Sequence, residues 1–421
     1  MDFDMLGLAP RLTKALAEQG ISEPTPIQAQ AIPHAMNGRD VMGLAQTGTG
    51  KTAAFGLPMI DALLKTQGKA APKTARGLIL APTRELAKQI ADNLTAYTQG
   101  THLKTVLVVG GAGITGQMRR LEKGCALLVA TPGRLIDLLD RGAVRLDETQ
   151  FLVLDEADQM LDLGFIHALR KIAPLLPDDR QTMLFSATMP KQMAELADTY
   201  LSNPIRVQVN PPGKAADKIA QSVHFIAKAE KANLLVELLD GHRDERAIVF
   251  GRTKHGSEKL YRKLEKDGFA AASIHGNKSQ GQRDRALKAF KAGEVKVLVA
   301  TDVAARGLDI PEVKHVYNFD LPNVPENYVH RIGRTARAGA DGMAVAFCAP
   351  DEMAELRAIQ KAMKADIPVA SGRPWEVEEP KPKRGGGRRR FGGNKGKGDA
   401  GAPGGQKPGA GRRRRPRRKA A

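Results

Sequence analysis

The sequence predicts an α/β protein with two tandem parallel-sheet domains and a disordered basic C-terminal tail. The chain has 421 residues, whereas a single hydrophobic core stops growing at roughly 250–300 residues. Short apolar runs alternate with amphipathic segments of helical period, which is typical of parallel sheets covered by helices on both faces. The segment Pro380–Ala421 holds 16 of the 65 Lys and Arg residues and one of the 46 Asp and Glu residues, so most of the net charge of +19 lies there.

The first predicted element is an amphipathic helix within residues 1–20. Leu8, Leu12 and Leu16 recur at the helical period, and Gly20 is a typical residue at a helix end. In the rest of the first domain, residues 1–209, we expect buried strands at Gly77–Leu80, Thr105–Val109, Ala126–Ala130, Phe151–Leu154 and Met183–Phe185.

A break in the pattern separates the two domains. Asn210-Pro211-Pro212-Gly213 predicts a linker over residues 210–218. For the second domain, residues 219–370, we expect strands at Arg246–Phe250, Val295–Ala300, Lys314–Phe319 and Met343–Phe347. Residues 371–421, rich in Gly, Pro, Lys and Arg near the end, are predicted to form a tail that cannot bury enough apolar surface to fold alone.

The two halves share a spacing of threonines. Apolar runs lead to Thr83 and Thr131 in the first half and to Thr253 and Thr301 in the second, 48 residues apart in each case. Generic α/β spacing is one explanation, and two related domains are the other. In open parallel sheets, ligands lie outside the carboxyl ends of the strands, where these threonines are expected.

Several features indicate a cytoplasmic protein without a membrane partner. Cys125 and Cys348 lie in apolar runs and are expected to be buried free thiols in a reducing compartment. The N-terminus has neither a basic start nor an apolar signal stretch. No apolar run approaches the ~18–20 residues that span a bilayer.

The segment Ala45–Thr52 predicts a phosphate site. It follows the apolar run Val41–Leu44 and precedes a helical pattern. The glycines within Thr47-Gly48-Thr49-Gly50 let backbone N–H groups face phosphate oxygens, Lys51 would reach the β- and γ-phosphates, and the Thr52 hydroxyl would ligate Mg²⁺. Ala45 replaces the usual first glycine of such loops, and a plain glycine-rich turn is the alternative.

The acidic cluster Asp155–Asp158 is expected at the same sheet edge, because it follows the predicted strand Phe151–Leu154. Asp155 would hold Mg²⁺, and Glu156 would orient and deprotonate the attacking water. A solvated acidic turn is the alternative.

The second half lacks a Gly-Lys-Thr loop, and its nearest counterpart to the acidic strand end is Asp320, so we expect it to bind no ATP of its own. Arg331, Arg334 and Arg337 recur every three residues and share one face of a helix or turn. They form either a salt-bridged surface or the missing part of the γ-phosphate pocket, where such arginines contribute ~10³–10⁵ in kcat. Hydrolysis would then require domain closure.

Asp155-Glu156-Ala157-Asp158, with these motifs in this order over roughly residues 1–370, resembles the DEAD-box RNA helicases. The stretch from Asp155 to Phe165 and the Arg-rich tail resemble the bacterial RhlE-like branch. The resemblance implies two RecA-like domains of the P-loop NTPase, helicase superfamily 2 class. It also implies ATP in the cleft between them, RNA across both, and catalysis by Lys51, Asp155, Glu156, Arg334 and Arg337.

The resemblance also assigns the rest of the nucleotide site and the coupling residues. Gln28 would pair with adenine, Phe3 would stack on the base, and Asp309, near Gly307, would approach the ribose. Ile21 stands where the family often has an aromatic residue. Interdomain coupling falls to Asp158, Ser186, Thr188, His330 and Arg331.

The implied RNA contacts are threonines, glycines and polar or basic side chains. They are Thr83, Arg84, Gly110, Gly111, Thr131, Gly133 and Arg134 in the first domain, and Arg252, Thr253, Gln280, Arg283, Thr301, Asp302 and Arg306 in the second. Such groups contact phosphate and sugar, which favours sequence-independent binding. Ala336 stands where most members have glycine; we expect a helical backbone there, which an alanine adopts without cost.

The predicted function is RNA-stimulated ATP hydrolysis that separates short RNA duplexes or remodels ribonucleoprotein. Ribosomal particles and the RNA-decay machinery are both settings consistent with this branch. The basic tail is either an RNA-tethering arm or a solubilising charge run, with membrane or protein partners as further readings. The alternatives for the whole chain are a DNA-directed helicase, a non-hydrolysing RNA clamp, and an ABC- or AAA-type ATPase.

Overall fold

The computed structural model describes residues 2–46, 48–66, 68–209, 219–305, 313–336 and 341–375 of the chain. The strands of the first domain are β1 (Val41–Leu44), β2 (Ala75–Leu80), β3 (Thr105–Val108), β4 (Cys125–Ala130), β5 (Phe151–Leu154), β6 (Gln181–Ser186) and β7 (Ile205–Gln208). Its helices are α1 (Pro10–Ala17), α2 (Pro26–Met36), α3 (Lys51–Lys65), α4 (Arg84–Tyr97), α5 (Ile114–Leu121), α6 (Pro132–Asp140), α7 (Ala157–Asp162), α8 (Ile166–Ile172) and α9 (Lys191–Tyr200).

The second domain repeats this alternation. Its strands are β8 (Ile219–Phe225), β9 (Arg246–Phe250), β10 (Ala271–Ile274), β11 (Val297–Ala300), β12 (Val313–Asn318), β13 (Gly342–Cys348) and β14 (Val369–Ser371). Its helices are α10 (Lys231–Asp240), α11 (Lys254–Lys266), α12 (Gln280–Lys291), α13 (Asp302–Ala305), α14 (Pro325–Ile332) and α15 (Met353–Met363). Within the described residues, short 3-10 helices lie at Phe3–Leu6, Ala173–Leu175 and Pro350–Glu352.

Each domain is built on a seven-stranded parallel sheet, and the two sheets have the same topology. The strand orders are β3-β4-β2-β5-β6-β1-β7 and β10-β11-β9-β12-β13-β8-β14, so each strand of the second sheet occupies the place of the strand seven numbers earlier. All the strand pairs are parallel. The predicted fold class of two parallel-sheet domains is confirmed.

The threonine spacing reflects this shared topology. Thr83 and Thr253 follow the equivalent strands β2 and β9 with nearly the same backbone angles, φ −125°, ψ 156° and φ −121°, ψ 149°. Each hydroxyl accepts a hydrogen bond from the third N–H of the following helix, from Leu86 at 3.2 Å and from Gly256 at 3.0 Å. Of the two explanations for the spacing, the related domains are therefore correct.

The strands that sequence reasoning found are the apolar ones. β7, β8, β10 and β14 were not predicted. β7 and β14 lie at sheet edges and need fewer apolar residues, and β8 and β10 contain polar or small residues such as Gln221 and Ser273. Leu8, Leu12 and Leu16 are buried as predicted, on and just before α1.

The end of the second domain extends beyond the predicted boundary. Residues 371–375 were assigned to a disordered tail, but Ser371 belongs to β14 and the Trp375 indole donates to the Cys348 carbonyl at 3.0 Å. The aromatic ring packs against the core of this domain, which accounts for the error. The linker 210–218 and residues 376–421 lie outside the described residues.

Both cysteines are buried free thiols. Among the helices of the described residues, none combines the length and apolar character needed to cross a bilayer.

Candidate functional site

The loop between β1 and α3 has the backbone of a phosphate cradle. Gly48 and Gly50 adopt φ of 83° and 90°, a left-handed conformation that favours glycine. The Thr49 carbonyl accepts a bond from the Thr25 hydroxyl at 2.8 Å, which fixes the loop against α2. Thr52 stands on the first turn of α3, and Thr47 lies outside the described residues.

Lys51 is the first residue of α3 and is buried. Its ammonium donates to the Ala45 carbonyl at 3.3 Å and lies 3.6 Å from the Asp155 carboxylate. The loop and the acidic strand end, more than 100 residues apart in the sequence, therefore meet as predicted.

Asp155 and Glu156 follow β5 at the carboxyl edge of the sheet and are nearly fully buried. Burial raises the pKa of Asp155 to about 6, and Lys51 opposes the shift. The Glu156 N–H donates to the Asp155 carboxylate at 2.9 Å. Glu156 has φ 51° and ψ 49°, a left-handed backbone that costs a non-glycine residue energy and is found at functional sites.

Asp158 connects the acidic cluster to the turn after β6. Its Oδ2 accepts bonds from the Ala187 N–H at 3.1 Å and from the Thr188 N–H and hydroxyl, both at 2.9 Å. The Ser186 hydroxyl donates to the Thr188 carbonyl at 2.7 Å, which closes the turn. The same Asp158 oxygen lies 4.0 Å from Nε2 of His330 in the second domain.

The arginine-bearing segment of the second domain faces the phosphate loop. A Cβ placed on Gly333 would lie 4.0 Å from the side-chain oxygen of Gln46. Arg334 is buried, and its Nε donates to the His330 carbonyl at 3.2 Å. Arg337 lies outside the described residues.

Arg331, which was predicted to couple the domains to the acidic cluster, is bound inside the second domain, and its coupling role stays a prediction. Its guanidinium is buried within the second domain, where it binds the Asp302 carboxylate at 2.5 and 2.8 Å. It also donates to Asn318 at 3.0 Å and to the Asp320 carbonyl at 2.7 Å. Three acceptors from two segments satisfy this cation inside its own domain, and Asp302, predicted to contact RNA, is bound to it.

Residues predicted to bind RNA contact one another across the two domains. The Arg84 guanidinium donates to Gln280 at 3.4 Å, and Gln280 donates to Glu85 at 3.2 Å. Arg283 forms an ion pair with Glu85 at 2.8 Å. Glu85 was not among the predicted site residues.

A cavity of about 520 Å³ lies beside these contacts and has walls from both domains. Seven predicted RNA residues line it: Thr83, Arg84, Gly110, Thr131, Gly133, Arg134 and Arg283. Gly276, Lys278 and Val303 from the second domain and Leu163 and Phe165 from the first also line it and were not predicted.

The other predicted RNA residues lie elsewhere. A Cβ on Gly111 would overlap the Arg84 guanidinium, so this glycine makes room for that side chain. Thr301 is buried at the end of β11, and Thr253 caps α11. Arg306 lies outside the described residues.

Phe3 is 2% exposed and belongs to the hydrophobic core of the first domain, and its stacking on adenine stays a prediction. Gln28 is also buried and has both amide atoms bonded, accepting from the Thr25 N–H at 2.9 Å and donating to the Gly50 carbonyl at 3.0 Å. The amide has a second N–H and a second oxygen lone pair, so pairing with adenine stays a prediction. Gly307 and Asp309 lie outside the described residues.

Ala336 has φ 54°, so the expected helical backbone is wrong. The chain leaves α14 at Gly333 and turns toward β13. The Thr335 hydroxyl holds this turn by donating to the Val313 carbonyl at 2.6 Å. Alanine therefore occupies a left-handed position that glycine fills without cost.

A phosphate loop and an acidic strand end in one domain, faced by the segment around Gly333 from a second domain of the same topology, define a two-domain P-loop NTPase. The chain matches the family model "DEAD/DEAH box helicase" over residues 25–196 and the model "Helicase conserved C-terminal domain" over residues 230–339. It is 43% identical over 374 residues to the ATP-dependent RNA helicase CshA of Listeria monocytogenes, covering 89% of this chain and 71% of that protein. The chain belongs to the DEAD-box ATP-dependent RNA helicases, which are ATP-hydrolysing enzymes.

Further relatives agree. The DEAD-box ATP-dependent RNA helicase CshA of Bacillus cereus is 44% identical over 362 residues, covering 86% of this chain and 68% of that protein. Among solved structures, S. cerevisiae Dbp5 bound to RNA and ADP BeF3 has a TM-score of 0.76 and 34% identity, covering 87% of this chain and 94% of its own. Mss116p bound to ssRNA and AMP-PNP has a TM-score of 0.80 and 30% identity, covering 89% and 80%.

Proposed function

We propose that RNA bound across both domains holds them in the arrangement that hydrolyses ATP, and that this closure separates short RNA duplexes or remodels ribonucleoprotein. The observation that carries the proposal is the position of Asp158. Its carboxylate binds the turn at residues 186–188 of its own domain and lies 4.0 Å from His330 of the other domain. We expect this side chain to connect the occupancy of the nucleotide site with the position of the second domain.

The donor set of the first domain fits ATP with Mg²⁺. Glycines with left-handed backbones shape the loop, Lys51 supplies a buried cation, and the Thr52 hydroxyl and Asp155 carboxylate are oxygen ligands of the kind Mg²⁺ prefers. When bound, the cation would neutralise charge on the phosphates. Glu156 would then orient and deprotonate water, and Arg334 and Arg337 would stabilise the charge that develops on the γ-phosphate.

RNA recognition is proposed to follow the backbone of one strand. The walls of the interdomain cavity offer hydroxyls, glycine N–H groups and the cations Arg84, Arg134, Lys278 and Arg283. These groups contact phosphates and sugars without reading base edges, which supports sequence-independent binding.

The finer identity is also a proposal. The stretch from Asp155 to Phe165 and the Arg-rich tail support the RhlE-like branch, whereas the relatives compared above carry the name CshA. We propose a cytoplasmic role in ribosome assembly or RNA decay on the same resemblance.

The basic tail is proposed to tether RNA. Neutralising ~6 phosphates implies roughly 10³ in affinity between 50 and 200 mM salt. Deleting residues 380–421 should weaken RNA binding at low salt and reduce its salt dependence, while ATP hydrolysis at saturating RNA changes little. An unchanged low-salt binding isotherm would contradict this role.

The substitution Glu156→Gln tests the hydrolytic mechanism. It removes the proposed base and keeps the side chain's size, so ATP and RNA should still bind while turnover falls about 10²–10⁴-fold. Glu148→Gln is the matched control, because Glu148 accepts a bond from the Thr74 hydroxyl at 3.0 Å just before β2 and should not affect turnover. Normal turnover in Glu156→Gln would remove Glu156 as the base. Stimulation of ATPase activity by RNA and by DNA of the same sequence separates the RNA helicase from a DNA-directed enzyme.

A further inference from the structure

The second domain contains a charge cluster at the place that corresponds to the phosphate site of the first. Lys51 is the first residue of α3, which follows β1, and Lys231 is the first residue of α10, which follows the equivalent strand β8. Asp155 and Asp320 follow the equivalent strands β5 and β12, and their N–H groups donate to the last carbonyls of β2 and β9. The lysine–aspartate distance is 3.6 Å in the first domain and 3.8 Å in the second.

In the second domain a carboxylate of the protein itself fills this place. The Lys231 ammonium binds Oε2 of Glu352 at 2.5 Å. The N–H groups of Leu321 and Ala349 donate to the same carboxylate at 3.1 and 3.0 Å. An ammonium and backbone N–H groups around an anionic oxygen are what a phosphate receives in a P-loop. Lys231 and Glu352 are buried, so their ion pair is shielded from solvent.

The same carboxylate also holds a residue of the proposed RNA surface. Nη2 of Arg252 donates to Oε1 of Glu352 at 3.1 Å and to the Leu321 carbonyl at 3.0 Å. The Arg252 N–H donates to the Asp320 carboxylate at 2.9 Å. A third of the Arg252 side chain stays exposed. Backbone and guanidinium are therefore both fixed by the cluster, directly before Thr253 caps α11.

We propose that Glu352 is a positioning residue for RNA: it replaces a nucleotide phosphate in the second domain and fixes the orientation of Arg252. The inference rests on the proposed role of Arg252 as an RNA contact. In this interpretation, Lys231 binds an internal carboxylate instead of a nucleotide phosphate. The cluster then has a structural role, because it links the ends of β8, β12 and β13 to the loop after β9.

A purely stabilising ion pair is the competing explanation, and the two make different predictions. Buried ion pairs contribute little net stability, because desolvation offsets their attraction, but removing one partner is costly. Loss of stability lowers the active fraction and therefore kcat. Loss of positioning raises the RNA concentration that gives half-maximal ATPase activity.

The experiment is a double-mutant cycle with Glu352→Gln and Arg252→Ala in the full chain. The readouts are the half-saturating concentration of a single-stranded RNA in the ATPase assay and kcat at saturating RNA. Arg252→Ala should raise the half-saturating concentration about tenfold, the effect of losing one hydrogen bond to a charged group. Glu352→Gln should raise it several-fold in the wild-type background and not further in the Arg252→Ala background, with kcat within about twofold throughout.

Two further variants control for misfolding and for general effects of losing a carboxylate. Lys231→Met with Glu352→Gln removes both buried charges together, so it should fold even if Glu352→Gln alone does not, and it should show the same rise. Glu245→Gln is the matched control: Glu245 accepts bonds from Lys314 and His315 in the same domain and should leave RNA saturation unchanged.

The outcomes distinguish the role of Glu352 from the role of Arg252 as an RNA contact. If Arg252→Ala leaves RNA saturation unchanged, Arg252 is no RNA contact, and its proposed role and the inference both fail. If Arg252→Ala impairs saturation but Glu352→Gln does not, or if the two effects add, Glu352 does not act through Arg252 and the inference alone is overturned.

Discussion

Ala336 offers a direct test of backbone energetics beside the arginines. Its φ of 54° places an L-residue in the left-handed region, at a cost of about 1–2 kcal/mol. Ala336→Gly removes that cost but adds conformational freedom to the unfolded chain, worth about 0.4–1 kcal/mol. The mid-range values give a net gain of about 0.8 kcal/mol in the free energy of unfolding of the second domain.

Calorimetry of the full chain measures this gain. For a domain of this size, 1 kcal/mol corresponds to roughly 2–4 °C in Tm, so we expect a rise of about 1–4 °C. Lys364→Gly is the matched control, because Lys364 has φ 56° at the end of α15 in the same domain, away from the nucleotide site. It should give a similar rise.

The ATPase activity of Ala336→Gly should stay within about twofold of wild type. The Thr335 hydroxyl anchors the turn to the Val313 and Lys314 carbonyls at 2.6 and 3.0 Å, so the path of the chain near Arg334 does not depend on the Ala336 side chain. If Ala336→Gly lowers Tm while Lys364→Gly raises it, the left-handed backbone at Ala336 is not strained and the reasoning is refuted.

Two more predictions concern single contacts. Thr188→Val removes one hydrogen bond to the Asp158 carboxylate, worth about 1.5–3 kcal/mol, and should slow RNA unwinding much more than RNA-stimulated ATP hydrolysis; Thr149→Val is the control, and equal losses in both assays would contradict a coupling role. Burial, and next the neighbouring His315, lower the pKa of His242 in the folded protein. As the pH drops through about 6.5, this imidazole is therefore protonated in the unfolded chain before it is protonated in the folded one, and the free energy of unfolding should fall. In His242→Gln the pH dependence of Tm between 7.5 and 5.5 should be shallower, and an unchanged slope would assign it to other groups.

His242, His315 and Glu245 also bring possible metal ligands within 4.8 Å of one another. The two imidazole rings are stacked with centroids 3.6 Å apart and planes 7° from parallel. Ring nitrogen lone pairs lie in the ring planes, so those of parallel stacked rings do not converge on one cation. This geometry does not suit a metal ion shared by the two rings.

Local chemistry made much of the site predictable from the sequence. Glycines around Gly50 followed by Lys51, and an acidic pair after an apolar strand, indicate a nucleotide site because each motif needs only neighbouring residues to form. The apolar runs of β2, β4 and β5 predicted the parallel sheets for the same reason. The matched positions of Thr83 and Thr253 revealed the repeated domain, because equivalent strand ends occur at equivalent spacings.

Only the tertiary structure decided which distant groups satisfy each side chain. Phe3 lies in the hydrophobic core of the first domain, and Arg331 binds acceptors of its own domain, because a buried ring or cation takes the partners that packing supplies. The backbone at Ala336 is set by the turn that Thr335 anchors, which no local pattern specifies. The carboxylate of Glu352 meets Lys231, 121 residues away, because two strands of one sheet end side by side. Sequence period and motif determined where the elements and the nucleotide chemistry lie, whereas long-range packing determined which charges pair.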